Sequence, residues 1–236
     1  MQHYIVYEGD REGEHSLNSR SIVGHKYRIK REIPFKIDDG DLWVASLRGM
    51  RVLSEVNFVP TMVRLRNVGY ESYCTQWEGA LLEGLAASCP DPARIVEIGT
   101  GKGTSLVRIL YGLSLHEDVR VWTIDLIEQE EAREALIESQ VPNWRYTFLV
   151  GNSAEIGGLD WEPLDLIFVD GSHSYEGDKD DEAAWAPHLK PEGVLAFHDY
   201  KNRKHRVTKA VDETMVAPWR RVGLVGTLAA YTRRTE

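Results

Sequence analysis

The chain has 236 residues, 42% hydrophobic and 28% charged, with a formal net charge of −9. That size and balance fit one α/β domain with a small appendage, and no apolar run approaches the roughly 20 residues of a membrane span. The negative balance argues against a nucleic-acid partner, because phosphate binding needs clustered Lys and Arg. Cys74 and Cys89 lack paired or metal-type spacing and read as reduced thiols. Met1-Gln2-His3-Tyr4 opens without a basic, then apolar, leader, so a cytoplasmic location is expected.

Residues 1–68 differ in character from the rest. Tyr27 to Ile37 alternates broadly, Asp38-Asp39-Gly40-Asp41 gives a turn, and Leu42 to Leu47 is a second short apolar run. This predicts a hairpin within an N-terminal appendage that covers a site mouth or makes a subunit contact in a homo-oligomer. From 69 to 236 the pattern is α/β. A helix is predicted over Gln76–Ala87, its apolar positions Trp77, Leu81, Leu82 and Leu85, stopping before Pro90. Strands are predicted at Ile95–Ile98, Val119–Thr123, Tyr146–Val150, Leu164–Val169 and Gly193–Phe197. Helices are predicted between them over Thr104–Leu113, Glu128–Ser139 and Asp178–His188. A last helix at Val207–Val216 and two closing strands at Trp219–Val225 and Leu228–Tyr231 complete the chain.

Strands separated by helices imply a Rossmann-like, seven-stranded, mostly parallel sheet with helices on both faces. Ligands of such sheets lie at the carboxyl ends of the strands. Gly99 onward, Asp125, Asn152, Asp170, His198 and Asp199 all fall at those ends, so they converge on one crevice. The run Asp178-Lys179-Asp180-Asp181-Glu182 reads as an acidic helix start that complements the helix dipole. Lys201-Asn202-Arg203-Lys204-His205-Arg206 is locally basic and reads as a solvated loop, and Trp185 and Trp219 read as core.

Val96-Glu97-Ile98-Gly99-Thr100-Gly101-Lys102-Gly103 is a strand followed by a glycine-dense turn. The glycines allow close backbone approach, while an acidic residue before the turn is unsuited to cradling phosphate. The dinucleotide fingerprint G-x-G-x-x-G fails here, since Thr104 stands at its third glycine. S-adenosylmethionine is cationic and offers a ribose diol, which a carboxylate at the end of the second strand would accept; Asp125 is placed for that.

The chain resembles the class I S-adenosylmethionine-dependent methyltransferases over residues 70 to 233. The first-motif run and Trp122-Thr123-Ile124-Asp125 carry that resemblance. Val169-Asp170-Gly171-Ser172-His173-Ser174-Tyr175 and Phe197-His198-Asp199-Tyr200 are similar to the metal-assisted small-molecule O-methyltransferases. The resemblance implies cofactor binding by Glu97, Gly99, Thr100, Gly101 and Asp125. It places Asn152-Ser153 at the adenine, and Asp170 is a candidate both for cofactor binding and for catalysis. Tyr70 to Gln76 would touch the methionine end. Glu192 departs from the family, standing where a second glycine is usual.

Asp170, His198 and Asp199 form a candidate ligand set for a divalent cation, with Mg2+ favoured by the carboxylates and Mn2+ admitted by the histidine. His173 is the candidate general base. The expected activity is methyl transfer to a hydroxyl of a small metabolite. Two other readings stay open: a Rossmann-like oxidoreductase or metal-dependent hydroxylase-like relative, and a non-catalytic nucleoside-binding module. Each strand-end Asp has a plainer role as a helix cap.

Overall fold

A computed structural model describes residues 2–10, 26–35, 74–202 and 204–234. At the N-terminus, β1 (Gln2–Asp10) pairs antiparallel with β2 (Lys26–Phe35), with a bulge between Val6 and Tyr7. The strand expected over 27–37 therefore exists, but its partner precedes it. The expected partner, Leu42–Leu47, lies outside the described residues.

The remaining elements follow the alternation read from the sequence. In order they are α1 (Gln76–Ala87), β3 (Ala93–Ile98), α2 (Thr104–Gly112), β4 (Val119–Asp125), α3 (Glu130–Glu138) and β5 (Tyr146–Val150). A short α4 (Ser153–Gly157), β6 (Leu164–Val169), α5 (Tyr175–Trp185), β7 (Leu189–Phe197), α6 (Val207–Thr214), β8 (Trp219–Val225) and β9 (Leu228–Arg233) complete the fold. The seven-stranded sheet has the order β5-β4-β3-β6-β7-β9-β8. Pairings from β5 to β7 are parallel, and β9 pairs antiparallel with both β7 and β8.

β3 and β6 are buried along their whole length because helices cover both faces. Their side chains alternate between two cores. Ile95, Leu166 and Phe168 pack with α1 and α2, whereas Val96, Ile167 and Val169 pack with Trp185, Val207 and Val211. Trp185 is fully buried, and its indole N–H donates to the Ser153 carbonyl at 3.0 Å. Trp219 is only partly buried, with the Arg233 guanidinium 4.9 Å from its ring centroid.

One helix both begins and ends away from its expected position. α5 starts three residues early because Ser174 caps it, accepting from Gly177 N. It stops at Trp185, and Pro187 follows in a separate 3-10 turn over Ala186–His188.

The chain runs outward from β3 through β4 to β5, then returns to the other side of β3 with β6. That reversal opens a crevice above β3 and β6. Register sets the height of its rim: Ile98 pairs with Ile124 and with Val169, and Val169 with Phe197. The residue after each strand still joins the ladder. Gly99 N donates to Ile124 O, Asp170 N to Ile98 O and His198 N to Val169 O, at 2.8, 2.8 and 3.0 Å.

Candidate functional site

The crevice is a cleft of about 540 Å³. The turn after β3 lines one end with Asp125 and Ser153, and the ends of β6 and β7 line the other with Asp170, His173, His198 and Asp199. The three turn glycines have separate causes. A Cβ on Gly99 would overlap the Asp170 carbonyl oxygen, and one on Gly103 would sit 2.8 Å from Ala132 of α3. Both have positive φ, at 91° and 75°. These two are glycine for the sake of the protein's own packing. Gly101, at φ 46°, has nothing within 4 Å of its Cβ position, so it is the glycine that opens to a ligand. Its N–H donates to Asp125 Oδ2 at 3.1 Å, which fixes the β4 carboxylate beside the turn.

Glu97 and Asn152 are turned away from this space. Glu97 is fully buried, and Thr123 Oγ1 donates to its Oε2 at 2.6 Å while the Thr123 and Thr100 hydroxyls share a further 2.6 Å contact. Burial pushes the Glu97 carboxyl up to about 8. Asn152 caps α4 by accepting from Glu155 N at 3.1 Å. Its neighbour Ser153 does line the cleft, and its hydroxyl donates to Asp181.

At the other end, His173 Nδ1 lies 3.0 Å from Asp199 Oδ2 and 3.7 Å from Asp170 Oδ1. Ligand atoms of these three residues fall within 4.8 Å of one another. His173 and Asp199 both hold positive φ, at 51° and 56°, and so does Lys201 at 65°. Left-handed backbone in non-glycine residues is costly and gathers where geometry is functional. Burial raises the Asp170 carboxyl, while His198 beside it works in the opposite direction.

His198 stands outside the Asp170–His173–Asp199 group and lies with Cys74 and Glu78. Its Nδ1 lies 3.0 Å from Asp170 Oδ1, and its Nε2 lies 3.6 Å from Glu78 Oε2. Burial opposes charge on this ring, but Asp170, Cys74 and Glu78 hold it up to about 12. Its two ring nitrogens thus face two carboxylates, Asp170 on one side and Glu78 on the other.

Glu78 is the functional-end residue that sequence reasoning missed. It forms the capping box with Thr75 and also accepts from Thr227 N and Oγ1 at 2.6 and 2.8 Å. These donors, with His198, hold its carboxyl down to about 2 despite the cost of burial. The Thr75-x-x-Glu78 spacing signals the capping box. The clasp to Thr227, 149 residues away, has no local signal. Cys74 lines the cleft next to this group and forms a second close trio with Glu78 and His198, all buried. Residues 70–73 lie outside the described residues.

The acidic run at the start of α5 divides in two. Asp178 and Asp181, three apart, are buried, whereas Asp180 is exposed. Burial, with Asp181 and Asp170 nearby, pushes Asp178 up to about 7, and its Oδ2 has no partner among the described residues. The run is therefore more than a solvated helix start, and the i, i+3 spacing was the available signal.

Comparison with known proteins fits this geometry. Residues 96–200, from the middle of β3 to just past β7, match the family model of a methyltransferase domain. A protein of Mycobacterium sp. (strain JLS) named "Putative O-methyltransferase" is 32% identical over 127 residues, which cover 51% of this chain. The match spans about half of that relative, 54% of its length. Among solved structures, a protein from Corynebacterium glutamicum aligns with a TM-score of 0.59 at 22% identity, covering 84% of this chain and 93% of the other. The O-methyltransferase from Bacillus cereus in complex with SAH aligns with a TM-score of 0.54 at 16% identity, covering 84% and 93%. Residues 74–202 and 204–234 thus share the fold of these solved structures, with the glycine turn, the β4 carboxylate and the β6–β7 carboxylates on one rim. Among the described residues no helix is long and apolar enough to cross a membrane.

Proposed function

We propose that the protein is an S-adenosylmethionine-dependent O-methyltransferase acting on a hydroxyl of a small metabolite, assisted by a divalent cation. The observation that carries this reading is the meeting, in one cleft, of an open glycine turn tied to Asp125 with the Asp170–His173–Asp199 group. A cleft of about 540 Å³ is in the range of small-ligand sites. The SAH complex of the Bacillus cereus neighbour supports the choice of ligand.

Gly101 would admit the nucleoside against bare backbone, and Asp125 would accept its ribose hydroxyls in charge-assisted bonds. Gly99 and Thr100 shape the same turn, and Ser153 faces the adenine end. Glu97 acts from beneath, holding Thr123 and through it Thr100. Asp170 and Asp199 suit a hard cation such as Mg2+ or Mn2+. When bound, S-adenosylmethionine supplies an electrophilic methyl group and the cation supplies charge that stabilises an alkoxide.

This chain's residues do the rest. His173 Nδ1 lies 3.0 Å from Asp199 Oδ2, and a proton held there would leave Nε2 as the lone-pair nitrogen that accepts the proton from the acceptor hydroxyl. His198 keeps Asp170 in place from behind and offsets part of its charge. Residues 1–68 would cover the acceptor or join subunits.

The test is methyl transfer from labelled S-adenosylmethionine to a panel of hydroxylated small molecules, with and without EDTA. Turnover that EDTA abolishes and Mg2+ or Mn2+ restores is the expected result. Full activity in excess EDTA would remove the cation, and tight binding of NADH in place of S-adenosylhomocysteine would remove the reading itself.

A further inference from the structure

The loop between β7 and α6 includes the basic segment that the sequence suggested was merely solvated. In the structure it forms the rim of the catalytic end. Asn202, Lys204 and His205 line the same cleft as Asp170 and Asp199. One hydrogen bond ties the loop to the site, Asn202 Nδ2 donating to Asp199 Oδ1 at 2.7 Å; within the loop, Lys204 N donates to Asn202 Oδ1 at 3.1 Å. His205 adds a second tie, its Nε2 lying 3.6 Å from Asp199 Oδ2 and its ring 4.9 Å from that of His173.

The cations around this rim are not equivalent. Lys102 pairs with Glu131 at 3.5 Å, and Lys209 pairs with Glu213 at 3.8 Å. Lys201 lies over the Tyr200 ring at 5.3 Å. Lys204 lines the cleft, is exposed, and has no ion-pair partner among the described residues. Exposed Arg206 follows it at the head of α6, whose first turn carries no acidic residue. In a chain of net charge −9, this concentrates positive charge at one place beside the candidate base.

An ammonium group adds little to the binding of a neutral alcohol but a charge-assisted bond to an anion. A divalent cation held by Asp170 and Asp199 would cancel their two charges, so the Lys204 ammonium leaves the acceptor end net positive and favours an anionic acceptor. Resting on the O-methyltransferase reading above, we infer that the acceptor carries an anionic group, a carboxylate or a phosphate, and that Lys204 binds it. The nucleoside end of the cleft lies at Gly101 and Asp125, so Lys204 serves the acceptor. The cleft has the volume for small molecules, and the positive segment is short, so a small anion is the occupant and not a nucleic-acid strand.

The experiment is calorimetric titration of the full chain saturated with S-adenosylhomocysteine. Two matched pairs of probes are used: catechol against 3,4-dihydroxybenzoate, and ribose against ribose 5-phosphate. The expected result is at least tenfold tighter binding of the charged member in one pair, which also tells carboxylate from phosphate. In Lys204→Gln that preference falls to within twofold while S-adenosylhomocysteine affinity stays within twofold. No preference in either pair, a preference that survives Lys204→Gln, or a 12-nucleotide RNA that binds more tightly than every probe would overturn the inference. Failure of S-adenosylhomocysteine to bind would instead strike the methyltransferase reading, so the two failures are distinct.

Discussion

The two ends of the central sheet are built from the same residue types and treat charge in opposite ways. At the N-terminal ends of the strands, Arg94 holds Asp118 through both guanidinium nitrogens at 3.0 and 3.1 Å and reaches Glu162 at 2.7 Å. Asp165 accepts from Arg94 N at 2.9 Å and pairs with Lys190 at 2.7 Å. At the C-terminal ends, Asp125, Asp170 and Asp199 have no Lys or Arg ion pair among the described residues. Their partners are a backbone N–H, histidines and Asn202. Three of the four described non-glycine residues with positive φ (His173, Asp199 and Lys201) also lie at this end. One end is neutralised to fix the strands, and the other keeps acidity and strain for a ligand to use.

If that contrast is right, changes at the two ends have different consequences. The largest effect on function is expected from Asp170→Ala, which removes the carboxylate shared by His173 and His198. Methyl transfer should fall on the order of 100- to 10,000-fold, with S-adenosylhomocysteine affinity within a few fold, read by single-turnover kinetics and calorimetry. The largest effect on folding is expected from Gly99→Ala, because the added methyl overlaps the Asp170 carbonyl at positive φ. A loss of at least roughly 3 kcal/mol, or failure to accumulate folded protein, should appear in thermal unfolding.

At the opposite end, Arg94→Met should lower stability by roughly 1–2 kcal/mol, because exposed partners limit the worth of its ion pairs. Its methyl-transfer rate should match the wild type. A comparable loss of turnover from Arg94→Met would erase the distinction between the two ends.

The last prediction concerns Glu97 and is read as a dependence on pH. Its folded-state carboxyl titrates at about 8, above its ordinary value. The folded state therefore binds the extra proton between about pH 4.5 and 8, and stability falls as pH rises through that window. Glu97→Gln should be more stable than the wild type at pH 8 and nearly equal to it at pH 5, as chemical denaturation at the two pH values would show.

The same contrast explains what was legible in the sequence. Ile95–Ile98, Leu164–Val169 and Gly193–Phe197 stand out as strands because both faces of the sheet are covered, which leaves continuous apolar runs. Strand-end polar residues were legible because the parallel topology places them on one rim. Partners chosen by the fold were not. Glu78 meets Thr227, β2 pairs with β1, and Asp181 meets Ser153, each across a distance that no local pattern records. His198 shows the same limit: its contacts with Asp170 and Glu78 are set by the fold and leave no trace in the local sequence. α4 spans only Ser153–Gly157, too short for a helical period to show.

The central claim is that both halves of the reaction meet on the rim above β3 and β6. The most direct test is a crystal structure with S-adenosylhomocysteine and Mn2+, read by anomalous diffraction. The account expects the ribose on Asp125, the sulfur facing the cavity beside His173, and one anomalous peak bonded to Asp170 and Asp199. A nucleoside bound elsewhere, or Mn2+ held by Glu78 and Cys74 with Asp170 and Asp199 left bare, would contradict it.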